Sequence, residues 1–426
     1  MMTEDVKRTL QASIWDGAFY SLMIGLGETY LAAFALALGM GEVATGQLTV
    51  VPVLIGAVLQ FVGQRGVYWL RSRRKWVVVC AGAQAVALSG VAVLGMMRSL
   101  RPEWLFLLAS IYWSAGLSAG PAWNAWISTV VPRDLRLRFF SQRNRVIQLF
   151  TLAGLMSSGV VLYFAKGSTY YIEVFSALFI LAAFCRGISL WFLSRQGDSV
   201  ALQKETKVSW QARFSILKSN RTSLFLAFLF LMNFAVHWSA PYFTPYMLKQ
   251  LNLDYLSYMV LVSVAFLARI VSYPFLERIA EKRGIGILMI IGCLGVMPSP
   301  ALWVVSDRFA YLMVLQAYSG VCWGAWELGV ALAIFERHNT ADLAKFYSIV
   351  NFLNALGMVI GSALAATLFA SGAPVVADYH RVFLSSTCVR IIPLLILPWI
   401  YRAQSSTHKH QGASGRQSDD EPAAAS

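Results

Sequence analysis

Two glutamates stand where a charge is hardest to keep. Glu28 lies in an apolar run near 14–39 and Glu327 in another near 309–335. A carboxylate at the centre of a hydrocarbon-spanning helix costs at least ~2.5–3.5 kcal/mol on insertion scales, so it marks a functional site by default. Taking up a proton removes that cost, which is the property a proton-coupling group needs. Glu28 shares a helical face with Ser21, Gly25, Ala32 and Ala35, small residues that leave room for a close neighbour or a ligand. Glu327 shares a face with Gly320, Trp323, Gly324 and Ala331, and Trp323 offers a ring on which a solute can stack. The plainer alternative for each glutamate is a hydrogen bond or salt bridge inside a helical bundle.

Other polar groups join them. Asn233 and His237 lie one turn apart in the run near 222–247. A proton or solute role competes there with a satisfied interhelical histidine. Arg186, Arg269 and Arg390 fall at a similar depth in three further runs. Arg269 suits an anionic solute or an acidic partner, whereas Arg186 and Arg390 are expected to snorkel or to bind helix ends. Five cysteines form no C-x-x-C pair and five histidines no H-E-x-x-H pair, so neither a metal site nor a disulfide framework is indicated. There is no Walker A pattern and no nucleophile–base constellation. No cofactor and no enzymatic activity are expected.

What must position these residues is a membrane bundle. Of the 426 residues, 58% are hydrophobic and only 13% charged. That charged fraction is about half the usual soluble value of about 25%. Twelve apolar runs are long enough to cross about 30 Å of hydrocarbon. They lie near 14–39, 47–69, 76–97, 103–128, 144–165, 171–194, 222–247, 255–276, 285–305, 309–335, 346–370 and 380–401. The net charge of +14 does not indicate nucleic acid, because the bases fall between the apolar runs. With the N-terminus inside, 25 Lys/Arg lie on inner segments and 6 on outer loops (Arg98, Arg101, Lys166, Lys249, Arg308 and Arg381). That bias puts both termini in the cytoplasm.

The chain also repeats itself. Aligning Trp123 with Trp326 sets Asn124 opposite Glu327, and Cys185-Arg186 echoes the Cys388…Arg390 pair. The expected organisation is a cytoplasmic arm (1–13), a six-helix half (14–194), a linker (195–221), a second six-helix half (222–402) and a disordered tail (403–426). The repeat makes the seventh run the counterpart of the first.

Between the second and third runs stand Gly66, Leu70, Arg71, Arg73, Arg74 and Lys75, and between the eighth and ninth Glu281-Lys282-Arg283-Gly284. With six plus six helices and a long central loop, these resemble the loop signature of the major facilitator superfamily, Gly-x-x-x-Asp-Arg/Lys-x-Gly-Arg/Lys-Arg/Lys. Gly66, Arg71, Arg74 and Lys75 match, while Leu70 and Arg73 depart from it. The resemblance implies an all-α membrane fold of twelve helices in two pseudo-symmetric bundles. It implies that Gly66, Arg71, Arg74, Lys75, Glu281, Lys282 and Gly284 serve a conformational switch. It also implies that runs one, four, seven and ten line a central cavity, with Glu28 and His237 facing it, and each other, at similar depth, and brings in Asn124, Trp323 and Trp326 beside Glu28, Glu327, His237, Asn233 and Arg269.

The expectation is a monomeric secondary transporter in the cytoplasmic (inner) membrane, moving a small organic solute by alternating access with proton coupling. A uniporter of a neutral solute and a non-transporting receptor or scaffold are the alternatives.

Overall fold

The computed structural model describes residues 4–98, 101–197, 220–337, 340–368 and 375–417. Among these, all regular structure is helical. Lipid cannot satisfy backbone amides, so each span closes its own hydrogen bonds. The first half comprises α1 (Glu4–Leu26), α2 (Leu31–Ala37), α3 (Glu42–Trp69), α4 (Arg73–Met96), α5 (Pro102–Val130), α6 (Arg136–Ala165) and α7 (Tyr171–Arg195). The second comprises α8 (Asn220–His237), α9 (Tyr255–Arg283), α10 (Gly286–Val296), α11 (Phe309–Arg337), α12 (Thr340–Ala366) and α13 (Val376–Gln417). Ten helices among the described residues are long and apolar enough to cross a membrane. The ninth span is the shorter Gly286–Leu302, and the twelfth run falls within α13.

The internal repeat is visible in packing. In the first half, α1 packs on α6 and α7, α3 on α5, and α4 on α5. In the second, α8 packs on α12 and α13, α9 on α11, and α10 on α11. The two halves meet through α6 against α9 and through α12 against α3 and α5.

Continuous apolar character predicts an unbroken first span over 14–39, and here the fold differs. α1 stops at Leu26, Gly27 leaves the helical region (φ −123°, ψ −64°), and a 3-10 turn at Glu28–Tyr30 leads into α2. The break needs a residue without a side chain, because a Cβ at Gly27 would sit 2.9 Å from Ala182 Cβ. Tyr30 seals the turn by donating from its hydroxyl to the Leu155 carbonyl at 2.8 Å. The seventh span is interrupted as its prolines predict. α8 ends at His237, and the chain continues through a 3-10 turn around Pro241 and a π-turn after Pro245.

Two boundaries also differ. The expected arm is already helical from Glu4 and continuous with the first span. The tail expected to be disordered from 403 continues α13 as helix to Gln417. Residues 418–426, and 198–219 of the linker, lie outside the described residues.

Candidate functional site at the junction of the two halves

Glu327 is the centre of a network that both halves build. α11 presents it toward α9, where Arg269 donates from Nη1 to its Oε1 at 2.9 Å and the Tyr273 hydroxyl donates to Oε2 at 3.2 Å. From the first half, Gln148 on α6 donates from Nε2 to the same Oε2 at 3.2 Å. Arg269 and Tyr273 lie four apart on α9, so they share a face and reach one acceptor together. The Glu327 side chain keeps 36% exposure while Arg269 keeps 17%. The acid is therefore the accessible member of the pair. Arg269 lies 5.7 Å above the Phe266 ring, and its Nε is buried with no hydrogen-bond partner.

Glu28 stands apart from that network. The break at Gly27 aims its carboxylate at α5, where the Tyr112 hydroxyl donates to Oε2 at 2.5 Å. His237, expected to face Glu28, instead donates from Nδ1 to the Asn233 carbonyl of its own helix at 3.0 Å. A carbonyl only accepts, which fixes that tautomer. No hydrogen bond among the described residues joins Glu28 to His237. Asn233 Oδ1 is buried without a partner.

Asn124 does not join Glu327, although the repeat aligns them. Its amide donates back to the Gly120 carbonyl at 2.9 Å, a bond within α5. Trp326 packs into the core of the second half, 5.7 Å from Phe228, with its backbone pressed on Gly292. Trp323 is half-buried against the same core.

The largest omission of sequence reading is a second polar network inside the first half. Asp16, 4% exposed, lies 3.8 Å from Arg143 Nη2 and accepts from the Ser189 hydroxyl at 2.7 Å. Arg186 donates to Ser189 Oγ at 2.6 Å and from Nε to Gln84 Oε1 at 3.0 Å. Arg143 stacks 4.2 Å over Trp123 and Arg186 4.7 Å over Tyr20. Arg186 therefore does not snorkel. Neither does Arg390, 3% exposed, which donates to the Val296 carbonyl at 2.6 Å and to Ser239 Oγ at 3.1 Å. The carbonyl of Val296 needs this donor because the residue four ahead is Pro300, which has no N–H. A role at a helix end is thus met for Arg390, from a buried position.

The loop residues behave as structural fittings. Arg74 donates to the Gln196 carbonyl at 2.9 Å and the Ser194 carbonyl at 3.4 Å, tying the start of α4 to the end of α7. Trp126 adds a bond to the Gly197 carbonyl at 3.0 Å. Lys75 donates its backbone N–H to the capping Ser72, and Arg71 takes a left-handed φ of 50°. Gly284 ends α9 at φ +83°, a conformation suited to glycine. Glu281 and Lys282 are exposed in the last turn of α9, with no ion pair among the described residues. Gly66 lies under Trp76, where a Cβ would come within 2.0 Å of the indole. Gly66→Ala is expected to cost ~1–3 kcal/mol through overpacking. The check is a melting curve in detergent, and an unchanged midpoint would show that Trp76 moves aside freely.

At the N-terminal face the halves are held shut. Arg138 lies 3.6 Å from Glu277, Phe140 stacks on Phe335 at 4.7 Å, and Arg136 sits 5.9 Å over the same ring. Asn351 donates to Gln60 at 3.1 Å, and Phe61 meets Phe352 edge-on at 5.9 Å.

Two repeated six-helix halves, closed on one face and sharing an ionisable cluster where they meet, define a polytopic membrane transporter. A family model described as Major Facilitator Superfamily matches residues 17–362, with a second match over 224–420. The chain belongs to that superfamily. No curated protein matches it in sequence. Among solved structures, a bacterial homologue of the iron transporter ferroportin in an outward-facing state superposes with a TM-score of 0.71 at 11% identity, covering 94% of this chain and 100% of that one. The human organic anion transporter MFSD10 gives 0.70 at 14% identity, covering 93% and 100%. The proton:xylose symporter XylE also gives 0.70 at 14%, covering 93% and 95%. At these identities the likeness is one of fold.

Proposed function

We propose that this chain is a proton-coupled secondary transporter of a small organic solute, working as a monomer by alternating access in the cytoplasmic membrane. The observation that carries the reading is the bond from Gln148 to Glu327. It places an ionisable carboxylate of one half in contact with the other half, so its protonation and the relative position of the halves act on each other. Glu327 is the leading coupling group. Glu28, at the break in the first span, is the second.

The basic bias of the N-terminal face supports a cytoplasmic placement of both termini. With Arg138–Glu277 and Phe140–Phe335 closing that face, the conformation is then one shut toward the cytoplasm. The test is flux into proteoliposomes of labelled sugars, amino acids, nucleosides, organic acids and amphiphilic cations, with and without an imposed pH gradient. At least one class is expected to accumulate in a gradient-dependent, protein-dependent way. Flux indifferent to the gradient would favour a uniporter. Absence of flux together with absence of ligand stabilisation would favour a scaffold.

A further inference from the structure

The charges within the spans do not balance. Among the described residues, the carboxylates set into the helical interior are Asp16, Glu28 and Glu327, and the guanidiniums are Arg143, Arg186, Arg269 and Arg390. Asp16 is committed to Arg143 and, through Ser189, to Arg186. Glu28 is held by a tyrosine. Arg390 donates to a carbonyl and a hydroxyl, has no carboxylate beside it among the described residues, and leaves its Nε without a partner. Only Arg269 has a private counter-charge, and that counter-charge is Glu327.

If Glu327 takes a proton, Arg269 is left as a largely buried cation with no anion beside it, which is strongly unfavourable unless another anion arrives. We infer that the transported solute is a monovalent organic anion, a carboxylate, which binds Arg269 in place of Glu327 as Glu327 takes up a proton. This rests on the coupling reading above. One proton and one carboxylate enter together and no net charge moves. Arg269 is built for such an exchange. Its planar guanidinium can grip a carboxylate through two parallel N–H groups, and its Nε has no partner in the present state. The Phe266 ring beneath it and Trp323, one turn from Glu327, offer apolar surface to the rest of the solute.

The groups turned toward Glu327 are few. Arg269 and Tyr273 come from α9, and α6 contributes the uncharged Gln148. Of the arginines of α6, Arg138 and Arg143 face Glu277 and Asp16. The only titratable side chain of α10 is Cys293. Carboxylate binding should therefore be strongest where Glu327 no longer holds Arg269.

The experiment is thermal stabilisation of the purified full chain, as wild type, E327Q and R269Q/E327Q, by matched sets: lactate, benzoate and indole-3-acetate, with the corresponding amides and amines. At least one carboxylate is expected to stabilise E327Q, in which Arg269 is already released, more strongly than the wild type. R269Q/E327Q, which removes both charges together, should lose the effect. Stabilisation by amides or amines alone, no response to any set, or an undiminished carboxylate effect in R269Q/E327Q would overturn the anion assignment. In those cases gradient-driven flux of another solute class leaves the transporter reading standing, whereas absence of all flux removes both.

Discussion

Glu327→Gln is expected to abolish gradient-driven accumulation while leaving solute exchange across the membrane intact. A one-unit pH gradient is worth about 1.4 kcal/mol per proton, or about tenfold accumulation for one proton per solute. The glutamine keeps one acceptor oxygen for Gln148 and Tyr273 and, like a protonated Glu327, no longer offers Arg269 an anion. It can neither gain nor release a proton, and the accumulation ratio should fall from about ten to about one. The measurement is the steady-state internal-to-external ratio in proteoliposomes with and without the gradient, alongside exchange at symmetric pH. Retention of tenfold accumulation by the variant would remove Glu327 from the coupling role. The same measurement on Glu28→Gln would then decide whether the acid at the broken first span carries the proton.

The second large effect concerns folding. Asp16→Ala removes the carboxylate beside Arg143 and the acceptor of Ser189, on which Arg186 in turn depends. Removing one partner of a buried pair typically costs about 3–5 kcal/mol, because the remaining charge stays buried without compensation. The variant is expected to melt well below the wild type in detergent and to reach the membrane in reduced amount. Asp16→Asn, which keeps the size and one acceptor oxygen, should lose less. Equal melting of Asp16→Ala and the wild type would mean that Trp123 and Tyr20, stacked on the two guanidiniums, suffice to hold them.

Span number, repeat and charge bias were legible because each is written along the chain: apolar runs, basic loops and paired motifs. Glu327 was legible as a carboxylate out of place, and Arg269 as its possible partner. Asp16 was not, since it stands at the start of an apolar run, where an acid reads as interfacial. Its burial depends on Arg143 and Arg186, which sequence separates from it by whole helices. Asn124 is the repeat counterpart of Glu327, yet an amide within reach of its own helix carbonyl satisfies itself locally. The role of Arg390 did have a signal in Pro298 and Pro300, which deprive preceding carbonyls of donors, and a cation from another helix is one of the few ways to replace them. The break at Gly27 had a weaker one in the Gly25-x-Gly27 pair, which carries meaning only once Ala182 is known to press on it.

Gly25 touches more than it explains locally. A Cβ there would lie 2.5 Å from the Thr151 carbonyl oxygen, and one at Gly154 would lie 2.8 Å from the Leu22 carbonyl oxygen, so α1 and α6 are riveted backbone to backbone. Helices that close cannot slide, and they travel as one lever. α6 carries Gln148, and the far end of the lever carries Glu28. If the halves rock as proposed, a swing that lifts Gln148 off Glu327 would carry the Gly25 end of α1 with it, and Glu28 just beyond the break.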